Sequence, residues 1–213
     1  KAGLEVDSLS LETKAAGDVR IVGKGLLELK EVIVKSGAFR AEADSLDVNL
    51  LRLLGDEDDA ELIGATGDVR IGTVDMGTGG DVVLKAGEAV SMLNSNGELS
   101  ADALSLTAVK GIAITTDVDS LVGEVTGVGQ FSVVEKNDLT VQHIRVASGS
   151  LSLSAGGAVD VIEAKDHRPV RIADFGGCAH KVQFCVGILT GSREFSLDFH
   201  KCCPKFSNSQ PAA

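Results

Sequence analysis

The side chains best suited to chemistry gather near the C-terminal end, as Cys178-Ala179-His180, Cys185 and His200-Lys201-Cys202-Cys203. Thiolates and imidazoles are the usual ligands of tetrahedral zinc, and Cys178, His180, Cys185, His200, Cys202 and Cys203 are enough for one site. Their spacing is not that of a common finger or ribbon. In an exported chain an even number of Cys more often forms disulfides, and four Cys allow three pairings. Adjacent Cys202 and Cys203 would bond to each other only with strain, so pairing each with Cys178 and Cys185 is the arrangement that staples the segment. Disulfides are therefore preferred over metal ligation, and no cofactor is assigned.

Acidic residues are the second source of chemistry. Gly77-Thr78-Gly79-Gly80-Asp81-Val82-Val83-Leu84 resembles one unit of the calcium-binding nonapeptide repeat, although its glycines are placed differently and no second copy lies one repeat away. A plain tight turn is the simpler reading. The run Asp56 to Asp59 reads as a solvated loop. Paired carboxylates such as Asp117, Asp119 and Glu135 would suit glycoside cleavage, but the chain has no Trp or Tyr to form a sugar platform. It also lacks a Gly-x-Ser-x-Gly elbow, a phosphate loop and a His-Glu-x-x-His motif. His143 stands alone between strand-like segments and reads as a surface residue. No catalytic residue is assigned, and the enzyme reading is the lesser one.

The elements that must position these groups are short and repetitive. Gly17-Asp18-Val19-Arg20-Ile21 recurs letter for letter as Gly67-Asp68-Val69-Arg70-Ile71, with degenerate copies led by Gly80, Gly97, Gly111, Gly149 and Gly157. A second phrase reads Val6-Asp7-Ser8-Leu9, Ala43-Asp44-Ser45-Leu46, Ala101-Asp102-Ala103-Leu104 and Val118-Asp119-Ser120-Leu121. Apolar residues at alternate positions, bounded by Gly, Ser, Asn and Asp, indicate strands with one wet face, which excludes a helical array. Spacing between copies is irregular, so the repeat is degenerate. Only Leu50 to Leu54 breaks the rhythm. It fits either a helical turn ending at Gly55 or a fully buried strand.

Composition narrows the architecture. Of 213 residues 44% are hydrophobic but only 3% aromatic, so the interior must be built from Val, Leu, Ile and Ala. A net charge of −11 and a pI near 4.8 argue against a nucleic-acid partner. No apolar run approaches the roughly 18 residues that span a bilayer. With no initiator Met and no signal peptide, the chain reads as a piece of a longer polypeptide. The repeat phrase fades near Pro169, the first proline; every Cys and five of the seven Phe follow it. We therefore expect a repetitive body over 1–172, a Cys- and Phe-containing β cap over 173–206, and a disordered tail over 207–213. In the cap, 181–186 and 193–199 read as strands of a hairpin closing the last rung.

Stacked rungs of about 20 residues would give a parallel β-solenoid of roughly eight rungs and near 40 Å length, with a β-sandwich as the rival fold. The stretches Leu99 to Ala108, Gly111 to Leu121 and Gly129 to Val141 resemble the repeat region of large bacterial surface and secreted proteins related to filamentous haemagglutinin. The resemblance runs over about 1–165 and is strongest over 97–161. It implies an all-β, right-handed parallel β-helix that is exported to the cell surface or secreted, and that works as an adhesin or extended stalk. Its partners would be neighbouring repeats of a longer parent chain and a cell-surface receptor or glycan. Runner-up functions are a carbohydrate-active lyase or hydrolase and a divalent-cation-binding β-roll.

Overall fold

The computed structural model describes residues 7–77, 79–161, 164–166 and 170–172. Over these residues the fold is an all-β parallel solenoid of about 7 turns. The expected Cys- and Phe-containing cap and the tail lie outside the described residues, as do Cys178, His180, Cys185, His200, Cys202 and Cys203.

Among the described residues fifteen strands form one continuous parallel sheet: β1 (Ser8–Glu12), β2 (Val19–Val22), β3 (Leu26–Val34), β4 (Phe39–Ala43), β5 (Ser45–Leu53), β6 (Ala60–Gly64), β7 (Val69–Asp75), β8 (Val82–Ala86), β9 (Ala89–Met92), β10 (Glu98–Ala108), β11 (Gly111–Glu135), β12 (Leu139–Ala155), β13 (Val159–Val161), β14 (Ala164–Asp166) and β15 (Val170–Ile172). Pairing divides them into three ladders. The first runs through Leu46–Val48, Val69–Ile71 and Val90–Met92. The second carries Leu50–Arg52, Thr73–Asp75, Glu98–Ser100 and Thr116–Asp117. The third takes Val19–Val22, Phe39–Ala43, Ala60–Gly64, Val82–Ala86, Leu104–Ala108 and Leu121–Val125. Each turn of chain thus contributes to all three ladders before it begins the next.

Alternation explains why these residues stack. In β4, β6 and β8 every second side chain is buried, which lines up Phe39, Ala60 and Val82, then Ala41, Leu62 and Leu84, inside the rod. Burying each Leu or Val in place of leaving it in water stabilises by about 1.5–3 kcal/mol. The interior is mainly aliphatic, as composition requires, but Phe39 and Phe131 are also fully buried in it. The Phe131 ring occupies the space that Gly123 leaves: a Cβ there would lie 2.2 Å from the ring. Gly129 and Gly149 mark backbone crowding of the same kind, since their Cβ positions fall 1.7 and 1.6 Å from the carbonyl oxygens of Lys110 and Gly129.

Leu50–Leu54 resolves as strand up to Leu53. Leu51 pairs with both Val32 and Val74, and the Leu54 N–H donates to the Val34 carbonyl at 2.9 Å, so the backbone groups a helical turn would need are committed to other rungs. The alternative of full burial is also corrected, since Leu50 is only half-buried and Leu54 is 57% exposed. His143 is not between strands but within β12, half-buried, where Gln142 is an extra residue that shifts the register between Leu121 and Val122.

Candidate functional site

Aspartates follow a positional rule. Asp18, Asp59, Asp68, Asp81 and Asp138 each immediately precede a strand. Each accepts, through its carboxylate, the backbone N–H of the residue stacked on it in the next rung. The donors are Ala38 (3.1 Å), Asp81 (3.1 Å), Ala89 (3.0 Å), Ala103 (3.1 Å) and Ala158 (2.6 Å). An N–H at a turn has no ladder partner, and the carboxylate supplies one. These acids are therefore structural. Basic residues on the strands are engaged in a similar way, across rungs: Arg70 is bidentate to Asp47 at 2.7 and 2.6 Å, Arg52 holds Asp75, and Arg40 holds Glu61. In both copies of the repeated phrase the Asp caps a turn, and in the second copy the Arg lies across rungs against Asp47.

One stretch of the corner between the second and third ladders departs from the rule. Asp102 lies inside β10 and Asp119 inside β11, and because Ala101 pairs with Val118 and Ala103 with Ser120, the two exposed aspartates stand directly opposite each other. Once one of the two carboxyls is protonated it can donate to the other. That contact, with loss of hydration and the charges of Asp102 and Asp117, raises the Asp119 pKa above 3.8. Asp117 sits beside them and accepts from Asn137 Nδ2 at 2.7 Å. Lys136 reaches Glu98 at 3.0 Å and Asp117 at 3.5 Å, and these contacts, led by the Glu98 hydrogen bond, raise its pKa above the usual lysine range. An open depression of about 390 Å³ borders this cluster, lined by Asp119, Lys136, Asn137, Asp138, Gly156 and Gly157.

Beneath the corner lies Glu135, only 2% exposed. One of its oxygens accepts from Thr116 Oγ1 (2.8 Å) and the Val118 N–H (3.1 Å), the other from the N–H groups of Lys136 (2.7 Å) and Asn137 (3.0 Å). Burial pushes its carboxyl above 4.5, and the four donors oppose that rise without cancelling it. Glu135 therefore ties two rungs to the loop that carries Lys136 and Asn137.

Of the acids singled out in the sequence, the structure brings Asp117 and Asp119 together on one face and turns Glu135 inward, away from the solvent where a substrate would bind. Asp102, Glu98, Lys136 and Asn137 belong to the cluster although sequence reasoning did not select them as site residues. The signal for Asp102 was present: Ala101-Asp102-Ala103-Leu104 and Val118-Asp119-Ser120-Leu121 are copies of one phrase lying one rung apart. In the acidic loop Glu57 has a φ of 57°, a conformation uncommon outside glycine, and Asp58 Oδ2 is buried without a hydrogen-bond partner. In the glycine-rich segment Gly77 (φ 67°) and Gly79 (φ 78°) each occupy the left-handed region, and the Gly77 N–H donates to Asp75 Oδ1. Among the described residues no set of three or more His, Cys, Asp and Glu side chains is grouped to hold a metal ion.

Comparison with known proteins gives no relative. No family model matches this sequence, and no curated protein or solved structure matches it either.

Proposed function

We propose that this chain is a structural or adhesive module of a large exported bacterial surface protein, a stiff β-solenoid stalk related to the filamentous-haemagglutinin group. The observation that carries this reading is the use made of its polar groups. Strand-preceding aspartates are spent on the N–H groups of neighbouring rungs, and most strand-borne Arg and Lys are spent on acids one rung away. Such a surface gives rigidity along the rod and leaves binding to turns or to neighbouring modules. Its partners on this reading are adjacent repeats of the parent chain and a cell-surface receptor or glycan, and it catalyses no reaction.

Two experiments test it. Labelling intact native cells with antibody to the rod should stain their outer surface; staining that needs lysis would refute export. Trypsin should leave the body intact for hours although the chain carries 20 Lys and Arg, whereas cleavage at the rate of an unfolded chain would refute stiffness.

The convergence of Asp102, Asp117 and Asp119 on one solvent face favours a second reading, a carbohydrate-active enzyme using paired carboxylates. Release of reducing ends from acidic and neutral polysaccharides, lost in Asp119→Asn, would support it, and no release would remove it.

A further inference from the structure

Like charges directly opposite each other on neighbouring strands destabilise a sheet. The Asp102 and Asp119 positions differ both from the aspartates that cap the next rung, Asp18, Asp59, Asp68, Asp81 and Asp138, and from Asp47 and Asp75, which face an arginine across rungs. Asp81 is aligned with Ala103 and takes its N–H, whereas Asp102 is shifted one place along, inside a continuous strand, and faces the carboxyl of Asp119. We infer that the Asp102–Asp119 pair is an acid-closed clasp between two rungs: sharing a proton holds the middle of the rod shut, and losing it loosens that point.

The surrounding charges leave this pair uncompensated. On the preceding rung Asp81 is occupied by the Ala103 N–H, and Glu98, on the same strand as Asp102, is occupied by Lys136. On the following rung Asp138 is occupied by the Ala158 N–H, and Lys136 is shared between Glu98 and Asp117. Asp117 adds a third negative charge beside the pair. A carboxyl that donates to a carboxylate is a strong, short-range contact, while two carboxylates at that separation repel. The proton needed comes from solvent, since both side chains are exposed.

The sign follows from linkage. A carboxyl whose folded pKa is raised stabilises the fold below its unfolded pKa, and that contribution is lost as pH rises through the folded value. The test compares thermal unfolding of the full chain with Asp119→Asn between pH 4 and pH 8. The Asn amide donates to Asp102 as the protonated acid would, at every pH. The variant should therefore melt about 1–3 °C above the wild type at neutral pH and match it in acid. Carboxyl carbon-13 shifts should place the Asp119 midpoint above the ordinary aspartate range and return it there in Asp102→Asn. Parallel melting profiles for wild type and Asp119→Asn, or an ordinary midpoint for Asp119, would overturn the clasp. So would calcium raising the melting temperature of the wild type alone at neutral pH, because the pair would then be a cation seat.

Discussion

Gly17-Asp18-Val19-Arg20-Ile21 and Gly67-Asp68-Val69-Arg70-Ile71 are the same five residues in two places. The first copy opens β2, an end strand of the sheet in the third ladder; the second opens β7, in the first ladder and flanked by rungs on both sides. Val69 and Ile71 are wholly buried, whereas Val19 and Ile21 are half-buried. Arg70 is clamped on Asp47 while Arg20 is exposed. Only the aspartate does the same work in both, as Asp18 takes the Ala38 N–H and Asp68 the Ala89 N–H. The phrase encodes a turn, a capping carboxylate and a strand. Which side of the rod it occupies, and how deeply, is decided by the rungs above and below.

That contrast can be broken by mutation. Ile71→Ala should cost about 2–5 kcal/mol, because the cavity it leaves is enclosed by both neighbours. Ile21→Ala should cost well under half of that in the same urea titration. Equal midpoints for the two variants would mean that stacking does not set burial.

A buried charge sharpens the comparison at the other end of the polarity scale. Glu135→Gln presents an amide N–H₂ to two N–H or O–H donors and should destabilise by about 1–3 kcal/mol at neutral pH. Its pH dependence has a fixed sign. The folded pKa is raised above 4.5, so the contribution of Glu135 to stability is full below 4.5 and falls as pH rises through the folded value. The Gln variant should lack that decline, which urea midpoints from pH 4 to pH 8 will show.

Smaller effects separate cap from strand. Asp68→Ala should cost about 1 kcal/mol by leaving the Ala89 N–H without its acceptor, and Asp18→Ala less, since an end rung frays with little loss elsewhere. Hydrogen exchange at Ala89 and Ala38 would report each loss directly. Smallest of all, Arg70→Ala should cost no more than about 1 kcal/mol and lose that effect in high salt, with Arg20→Ala near zero.

Period-two alternation made the strands legible, and the glycine-led turns with an almost aromatic-free interior made the solenoid legible. Sequence did not reveal the length of each turn. Leu99 pairs with Thr116, seventeen residues on, but Thr73 pairs with Glu98, twenty-five on, because loops at the corners absorb insertions without disturbing the ladders. That variation hid the approach of Lys136 and Asn137 to Asp117. Glu135 was within reach of simple parity: Phe131 and Val133 point inward, so the next alternate residue does too, while Val134 between them is half-exposed. The sequence groups Glu135 with Asp117 and Asp119 as paired carboxylates because its four donors come from two segments, 116–118 and 136–137, that only stacking brings together.

The central claim is that successive turns stack in register along one axis, and spin-label distances test it most directly. In a background with Cys178, Cys185, Cys202 and Cys203 changed to Ser, labels would be placed at Val22 paired with Lys85, and at Val22 paired with Arg145. These positions lie in one register column of the third ladder, linked through Glu42, Ile63, Thr107 and Glu124. Stacking at about 4.8 Å per rung predicts separations near 14 Å for the first pair and near 29 Å for the second, apart from the reach of the labels. Two similar distances, or a shorter one for Val22 with Arg145, would contradict the solenoid.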